Sequence, residues 1–196
     1  SKHGKVIELE AFSRISVPVG LIQNGELKDK VALQEVLKNA FESANPRAIV
    51  RKNISVILPT KVVFAHIFKL PLKLTGKDVY QAISYEAENI VPFALEDLYW
   101  DYRILDKEDQ KKAHASQYAL FTAVPKKIAE SYAELFESTG IHVELFGVSI
   151  DALLQALEPY IQEKGEKAVV SFGPLSTQIL LLEDNKLRYF FSSNEG

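Results

Sequence analysis

Four histidines, at positions 3, 66, 114 and 142, are the first residues to test for chemistry. A metal site needs ligands at short fixed separations or on one helix face, and none of these histidines has such a neighbour or an acidic partner in a ligand motif. They read as surface or satisfied core histidines. The chain contains no cysteine, which excludes disulfides, thiolate metal sites and cysteine nucleophiles and makes a reducing compartment the mild default. No Gly-x-Ser-x-Gly nucleophile turn, P-loop or dinucleotide glycine fingerprint occurs. Glu86 and Glu88 stand two apart on an expected helix, so they diverge in direction and make a poor acid and base pair. Spacing alone specifies no enzyme.

The whole chain is consistent with that reading. Its 196 residues carry 23 Lys and Arg against 26 Asp and Glu, a formal charge of −3. A content of 47% hydrophobic and 25% charged residues is that of an ordinary globular protein, long enough for one domain and part of a second. The near balance of charge gives no reason to expect a nucleic-acid partner. No apolar run approaches the roughly 18 residues of a membrane-spanning helix, and the first segment lacks the blocks of a signal peptide. A chain that begins Ser-Lys-His-Gly and holds no Met reads as processed or cut from something longer.

The elements follow from periodicity and punctuation. Lys5 to Phe12 and Ile15 to Val19 are apolar and β-branched runs that read as two short strands. Asn24-Gly25 signals a turn. Leu33, Val36, Leu37, Ala40 and Phe41 recur at helical spacing between Lys30 and Ser43. Strands are expected at Ile54 to Leu58 and Val62 to Leu70. Thr75 is placed to cap a helix with the stripe Val79, Ala82, Ile83, Ala87 and Ile90, stopped by Pro92. Leu98 to Leu105 alternates, with Trp100, Tyr102 and Ile104 on one side, and Gln117 to Val124 is its expected hairpin partner. A helix then runs from Pro125 to a Gly140 cap. Ile141 to Phe146 reads as a strand, Ser149 to about Gln162 as a helix, and Ala168 to Phe172, Thr177 to Leu182 and Lys186 to Phe191 as strands. This order predicts a mixed α/β architecture with an inserted subdomain.

Two segments carry a resemblance. The run Tyr85-Glu86-Ala87-Glu88-Asn89-Ile90-Val91-Pro92-Phe93-Ala94-Leu95-Glu96-Asp97, followed by Asp101-Tyr102, resembles the signature of the PilM family, actin-like type IV pilus assembly proteins. Ile54 to Pro59, Leu70-Pro71, Gly140 with Val148 to Leu157, and Val169 to Leu182 fall in the same family order, so the resemblance spans nearly the whole chain. It implies an actin-like (ribonuclease H-like) fold fragment with an inserted small α/β subdomain at 64–141. Residues 1–63 would be a partial first actin-like subdomain, and 142–196 the return to it and the start of a second.

The resemblance also implies a cytoplasmic scaffold held at an inner-membrane platform through its partners. The characteristic partner is the cytoplasmic N-terminal tail of the membrane-anchored protein PilN, lying as an extended peptide in a groove beside the inserted subdomain; other pilus platform proteins are expected with it, and nucleic acid is not. An extended peptide suits such a groove because main-chain hydrogen bonds give affinity and alternate pockets give specificity. Pro92 and Phe93 are the partner-binding candidates, with a second role open to them as the break of the helix and its anchor to the core.

In actin-like folds two glycine-containing hairpins grip the phosphates of ATP, because backbone without a Cβ can approach an anion closely. Ser171-Phe172-Gly173-Pro174-Leu175-Ser176-Thr177 resembles the second hairpin. By that resemblance Ser171, Gly173, Ser176 and Thr177 are nucleotide-binding candidates, as are Ser1 and Lys5 from the tail of the first hairpin. Ser171 stands where the family has Asp, which removes a carboxylate for magnesium, and Pro174 removes an N–H donor. Half a site and a missing base pocket place ATP and magnesium with an intact parent, with none bound to this chain. The expectation is a non-enzymatic adaptor with no catalytic residue and no metal site. The alternative is a nucleotide-dependent cell-division assembly protein of the FtsA type; a sugar-kinase-like enzyme would need a catalytic Asp that is not visible.

Overall fold

The structure is a computed structural model and describes residues 9–108, 115–173 and 176–193. In chain order the elements are β1 (Ile22–Gln23), β2 (Glu26–Leu27), α1 (Lys30–Glu42), β3 (Ile54–Leu58), β4 (Phe64–Pro71), α2 (Lys77–Ile90) and β5 (Leu98–Lys107). They continue as β6 (Ser116–Pro125), α3 (Lys126–Ser138), β7 (Val143–Val148), α4 (Ser149–Leu157), β8 (Glu166–Phe172), β9 (Thr177–Glu183) and β10 (Lys186–Ser193). The chain divides into two compact units, Ser1–Val56 with Glu130–Phe146, and Ile57–Ala129 with Gly147–Gly196.

In the first unit Asn24 and Gly25 both take positive φ, 50° and 79°, the conformation that lets a two-residue turn match strand twist in the β1–β2 hairpin. The Asp29 carboxylate accepts from the Ala32 N–H at 3.0 Å and starts α1. That helix lies along the end of α3, where Lys30 pairs with Glu134 and the Gln34 amide donates to Ser138 Oγ at 2.7 Å. Gly140, at φ 72°, ends α3 as expected. β3 pairs with β7.

The strand expected at Ile15 to Val19 does not form. Pro18 lacks an N–H for a ladder and Val17 and Val19 are exposed. Of Lys5 to Phe12, residues 5–8 lie outside the described residues, and Phe12 makes a single bridge to Asn45, with N–H···O distances of 3.0 and 2.9 Å. Tyr132 on α3 is buried, and its hydroxyl has no hydrogen-bond partner among the described residues. Burial also pushes its pKa up. Tyr132→Phe is therefore expected to keep or slightly raise the unfolding midpoint in urea, since an unpaired buried hydroxyl costs about 1–3 kcal/mol of desolvation.

The second unit is built on an antiparallel sheet of order β4-β6-β5. Its register pairs Phe64 with Ala123 and Trp100 with Ala123, so alternate side chains go to opposite faces. On one face Val79, Ile83 and Ala87 of α2 pack on Phe68, Leu70, Ala119 and Phe121. On the other, Leu120 meets Ile150 of α4, Leu180 and Leu182 of β9 and Leu187 of β10. The central strand β6 is thus buried on both sides, whereas alternation in β5 reads as half-buried in the sequence. The sheet β10-β9-β8 turns one face to this second core and leaves Val170, Phe172, Leu181, Tyr189 and Phe191 exposed.

Two expected helix ends differ in detail. The N-cap of α2 is Gly76 at φ 50°, with no side-chain cap, and Thr75 accepts the Asp78 N–H through its backbone carbonyl at 3.0 Å rather than through its hydroxyl. Glycine's access to positive φ redirects the chain one residue later than a threonine cap would. Helix α4 ends at Leu157 rather than near Gln162, because Pro159 has no N–H to continue the ladder and the chain passes into a turn, Tyr160 N–H to Leu157 O at 2.8 Å.

Candidate functional site

The expected phosphate hairpin is the β8–β9 connection. Ser171 pairs with Gln178 and Phe172 with Thr177, so Ser171 and Thr177 point to opposite faces of the sheet. The Gln178 amide, on the Ser171 side, donates to Ser149 Oγ at 3.0 Å. The Gly173 N–H donates to Ser176 O at 2.9 Å, a bond that closes the hairpin and engages the donor an anion would need. A Cβ at Gly173 would stand 3.1 Å from that same Ser176 carbonyl, a close approach that glycine avoids. The described half of the loop therefore does not form an open N–H cradle for phosphate. Ser1, Lys5, Pro174 and Leu175 lie outside the described residues, as do His3 and His114.

His66, on β4, rests edge-on against Phe68 with ring centroids 4.8 Å apart, and burial pushes its pKa down. Among the described residues no three His, Asp or Glu side chains gather to hold a metal. No helix among them is long and apolar enough to cross a membrane.

The Pro92-Phe93 corner follows α2. The core contacts at this helix end are made by Val91, 7% exposed, and Leu98, 4% exposed. Phe93 is 56% exposed and Pro92 is exposed. Pro92 does stop the helix, with Val91 in extended backbone as its C-cap. Anchoring falls to Val91, which leaves the aromatic ring of Phe93 available at the surface. Glu88, Glu96 and Asp97 are exposed around it, and none forms an ion pair among the described residues.

A second concave feature was not expected from the sequence. Between α2 and β4 lies a cavity of about 500 Å³ with a mixed lining that includes Phe68, Leu70, Leu74 and Tyr85 together with Lys69 and Glu86. The signal that could have located it is charge order. Between Glu42 and Asp78 the chain has no carboxylate, and between Lys77 and Arg103 it has Asp78, Glu86, Glu88, Glu96, Asp97 and Asp101 and no Lys or Arg. Of the first block, Lys61, Lys69, Lys73 and Lys77 belong to the second unit, in and beside β4, and the second block runs along α2 and into β5.

The fold has counterparts among known proteins. The family model of the type IV pilus assembly protein PilM matches residues 1–194. Among solved structures, a chain of a "PilM-PilN type IV pilus biogenesis complex" superposes with a TM-score of 0.77 at 22% identity, covering 91% of this chain and 52% of that one. A Bacteroides thetaiotaomicron protein described as having an actin-like ATPase fold and unknown function gives a TM-score of 0.43 at 18% identity, over 83% of this chain and 55% of that one. This chain thus spans about half the length of these solved chains. No curated protein matches it. The expected mixed α/β class is the one the structure shows, and its fold is that of the chain in the PilM-PilN complex. With all but its last two residues matched by one family model, the chain belongs to the type IV pilus assembly protein PilM family.

Proposed function

We propose that this chain is the partner-holding part of an actin-like scaffold in type IV pilus assembly, and that it takes the cytoplasmic N-terminal tail of a PilN-like membrane protein at the Pro92-Phe93 corner. The observation that carries the reading is the exposure of Phe93 in a segment whose neighbours, Val91 and Leu98, serve the core. A large exposed aromatic beside a rigid helix end is the kind of residue that concentrates binding energy in an interface. Its surroundings select the partner's charge. Carboxylates at Glu88, Glu96 and Asp97 favour a tail with Lys or Arg among apolar residues and repel an anionic membrane surface. On this reading the protein works in the cytoplasm and reaches the inner membrane through its partners. Any ATP and magnesium belong to the intact parent, and hydrolysis has no part in the role of this chain.

The test is to titrate the full chain with fluorescent peptides copied from cytoplasmic tails of membrane proteins encoded beside it, and separately with ATP plus magnesium. A tail should bind saturably, and Phe93→Ala should weaken it about tenfold, the loss of roughly 1.4 kcal/mol. Equal binding by the variant would remove the site from Phe93. Failure of every tail, or turnover of ATP onto a small molecule, would overturn the adaptor reading.

A further inference from the structure

We infer that the outer face of the sheet β10-β9-β8 packs on the same face of a second copy of this chain, with the two β8 strands antiparallel across a two-fold axis. The register lays the outer side chains in rows. Ala168 stands beside Leu181 and Tyr189, Val170 beside Ile179 and Phe191, and Phe172 beside Thr177 and Ser193. The alternate residues Val169, Leu180, Leu182 and Phe190 go to the core on the inner face. Arg188 is the extra residue of a bulge in β10, between Leu187 and Tyr189, and its guanidinium reaches Asp106 of β5 at 3.0 Å. The bulge thereby holds this charge off the outer face while Tyr189 and Phe191 stay on it. Charge is confined to the end row, where Glu166, Glu183 and Lys186 stand abreast.

The face is complementary to itself in shape. Phe172, 81% exposed, projects at one end of β8. At the other end lies a hollow of about 470 Å³ around Ala168 and Leu181, with Glu166, Lys167, Glu183 and Arg188 about them. Val170 is midway between Phe172 and Ala168 along the strand. A two-fold axis through this middle row, perpendicular to the strands, therefore sets the Phe172 ring of each copy over the small Ala168 side chain of the other. The parallel alignment brings Glu166 to Lys186, but it stacks Glu183 on its own copy and leaves Phe172 over Ser193 with the hollow unfilled. The area fits a weak pair. Val170, Phe172, Leu181, Tyr189 and Phe191 are exposed, and at half or more of their full surface they present on the order of 500 Å². Two such faces bury about 1,000 Å² together, the lower bound of a specific interface. An anionic membrane would meet Glu166 and Glu183 and offers no hollow to Phe172. This inference and the reading of the Phe93 corner do not rest on each other.

Sedimentation velocity of the full chain from about 1 to about 300 μM tests the pairing. A reversible equilibrium of monomer and dimer is expected, with a dissociation constant of about 10 μM. Phe172→Glu should weaken it about a hundredfold, because a two-fold interface carries each change twice. The position is exposed, so the variant should keep the Trp100 emission and the urea midpoint of the parent. The chain has no cysteine, which lets single cysteines report the alignment. Ile179→Cys, in the middle row, should be joined to its copy by a bis-maleimide of about 10 Å, the spacing of packed sheets. Glu183→Cys should not, because the antiparallel pair holds the two positions roughly 27 Å apart along the strands. A dimer indifferent to Phe172→Glu, no cross-link at Ile179→Cys, or a cross-link at Glu183→Cys would overturn the inference. So would a chain that stays monomeric at about 300 μM, which would leave the face to a different protein.

Discussion

Phe121→Ala is expected to cost about 3–5 kcal/mol of stability in the second unit, the range for removing a fully buried aromatic and leaving its cavity. Phe121 has no exposure and lies at the centre of the strand that is buried on both faces. Its ring meets Phe64, Phe68 and Trp100 at centroid distances of 6.3, 5.8 and 5.5 Å. The side chain is held by all three strands of its sheet, since Phe64 and Phe68 belong to β4 and Trp100 to β5, so the site has little freedom to collapse onto the void. Trp100 is the single tryptophan of the chain, which makes its fluorescence a direct report on this core. A urea titration followed by tryptophan emission should show the midpoint moved to lower urea with the slope retained. A midpoint within error of the parent would mean that Phe121 is not the hub of the first core.

Asp106→Asn should be the next most damaging, and its signature is in pH. A register shift in β5 between Ile104 and Asp106 carries this carboxylate to β10. There it accepts from Lys186 Nζ at 2.7 Å and from Arg188 Nη2 at 3.0 Å, with its side chain 9% exposed. Arg188 also donates through Nε to Glu183 at 2.9 Å, and its guanidinium carbon lies 4.2 Å from the centroid of the Tyr118 ring. The cluster fastens β10 to the second face of the sheet. Burial alone would raise the pKa of Asp106, but hydrogen bonds from Lys186 and Arg188 and the Lys186 charge outweigh it and hold the carboxyl below its ordinary value of 3.8. Arg188 is shifted upward, its burial outweighed by the bonds to Glu183 and Asp106.

The sign follows from linkage. A group whose pKa is lower folded than unfolded adds stability that is present above its ordinary value and is lost as pH falls through the folded value. The parent should therefore lose stability in that acid window, and Asp106→Asn should lack this part of the pH dependence. At neutral pH the variant should lose about 2–3 kcal/mol, because a mostly buried guanidinium keeps one partner while losing a charged one. Matched urea titrations at neutral pH and below pH 4 test both statements. Parallel pH curves for parent and variant would show that the latch contributes nothing through Asp106.

The periodic elements were legible in the sequence because their signal is local. The spacing of Val79, Ile83 and Ala87 is a helix stripe whatever it packs on, and Trp100, Tyr102 and Ile104 alternate because β5 has one apolar face on the α2 core. Misreadings came where a local signal lacked a tertiary partner. Ile15 to Val19 has the residues of a strand, but a strand is defined by its neighbour, and Pro18 removes a donor. Ile90 completes the apolar stripe of α2 by spacing, yet as the last residue of the helix it is 38% exposed, and Val91 beyond it takes the place in the core. The resemblance in Tyr85 to Asp97 was legible as a string of residues. Which of Pro92, Phe93 and Val91 serves the core was not.

Composition, periodicity and the signature segment by themselves carried the class of this protein, a mixed α/β member of the PilM family. Tertiary structure alone decided where its surfaces are. Burial is a property of packing in three dimensions, so only the fold could free Phe93 while enclosing its neighbour Val91.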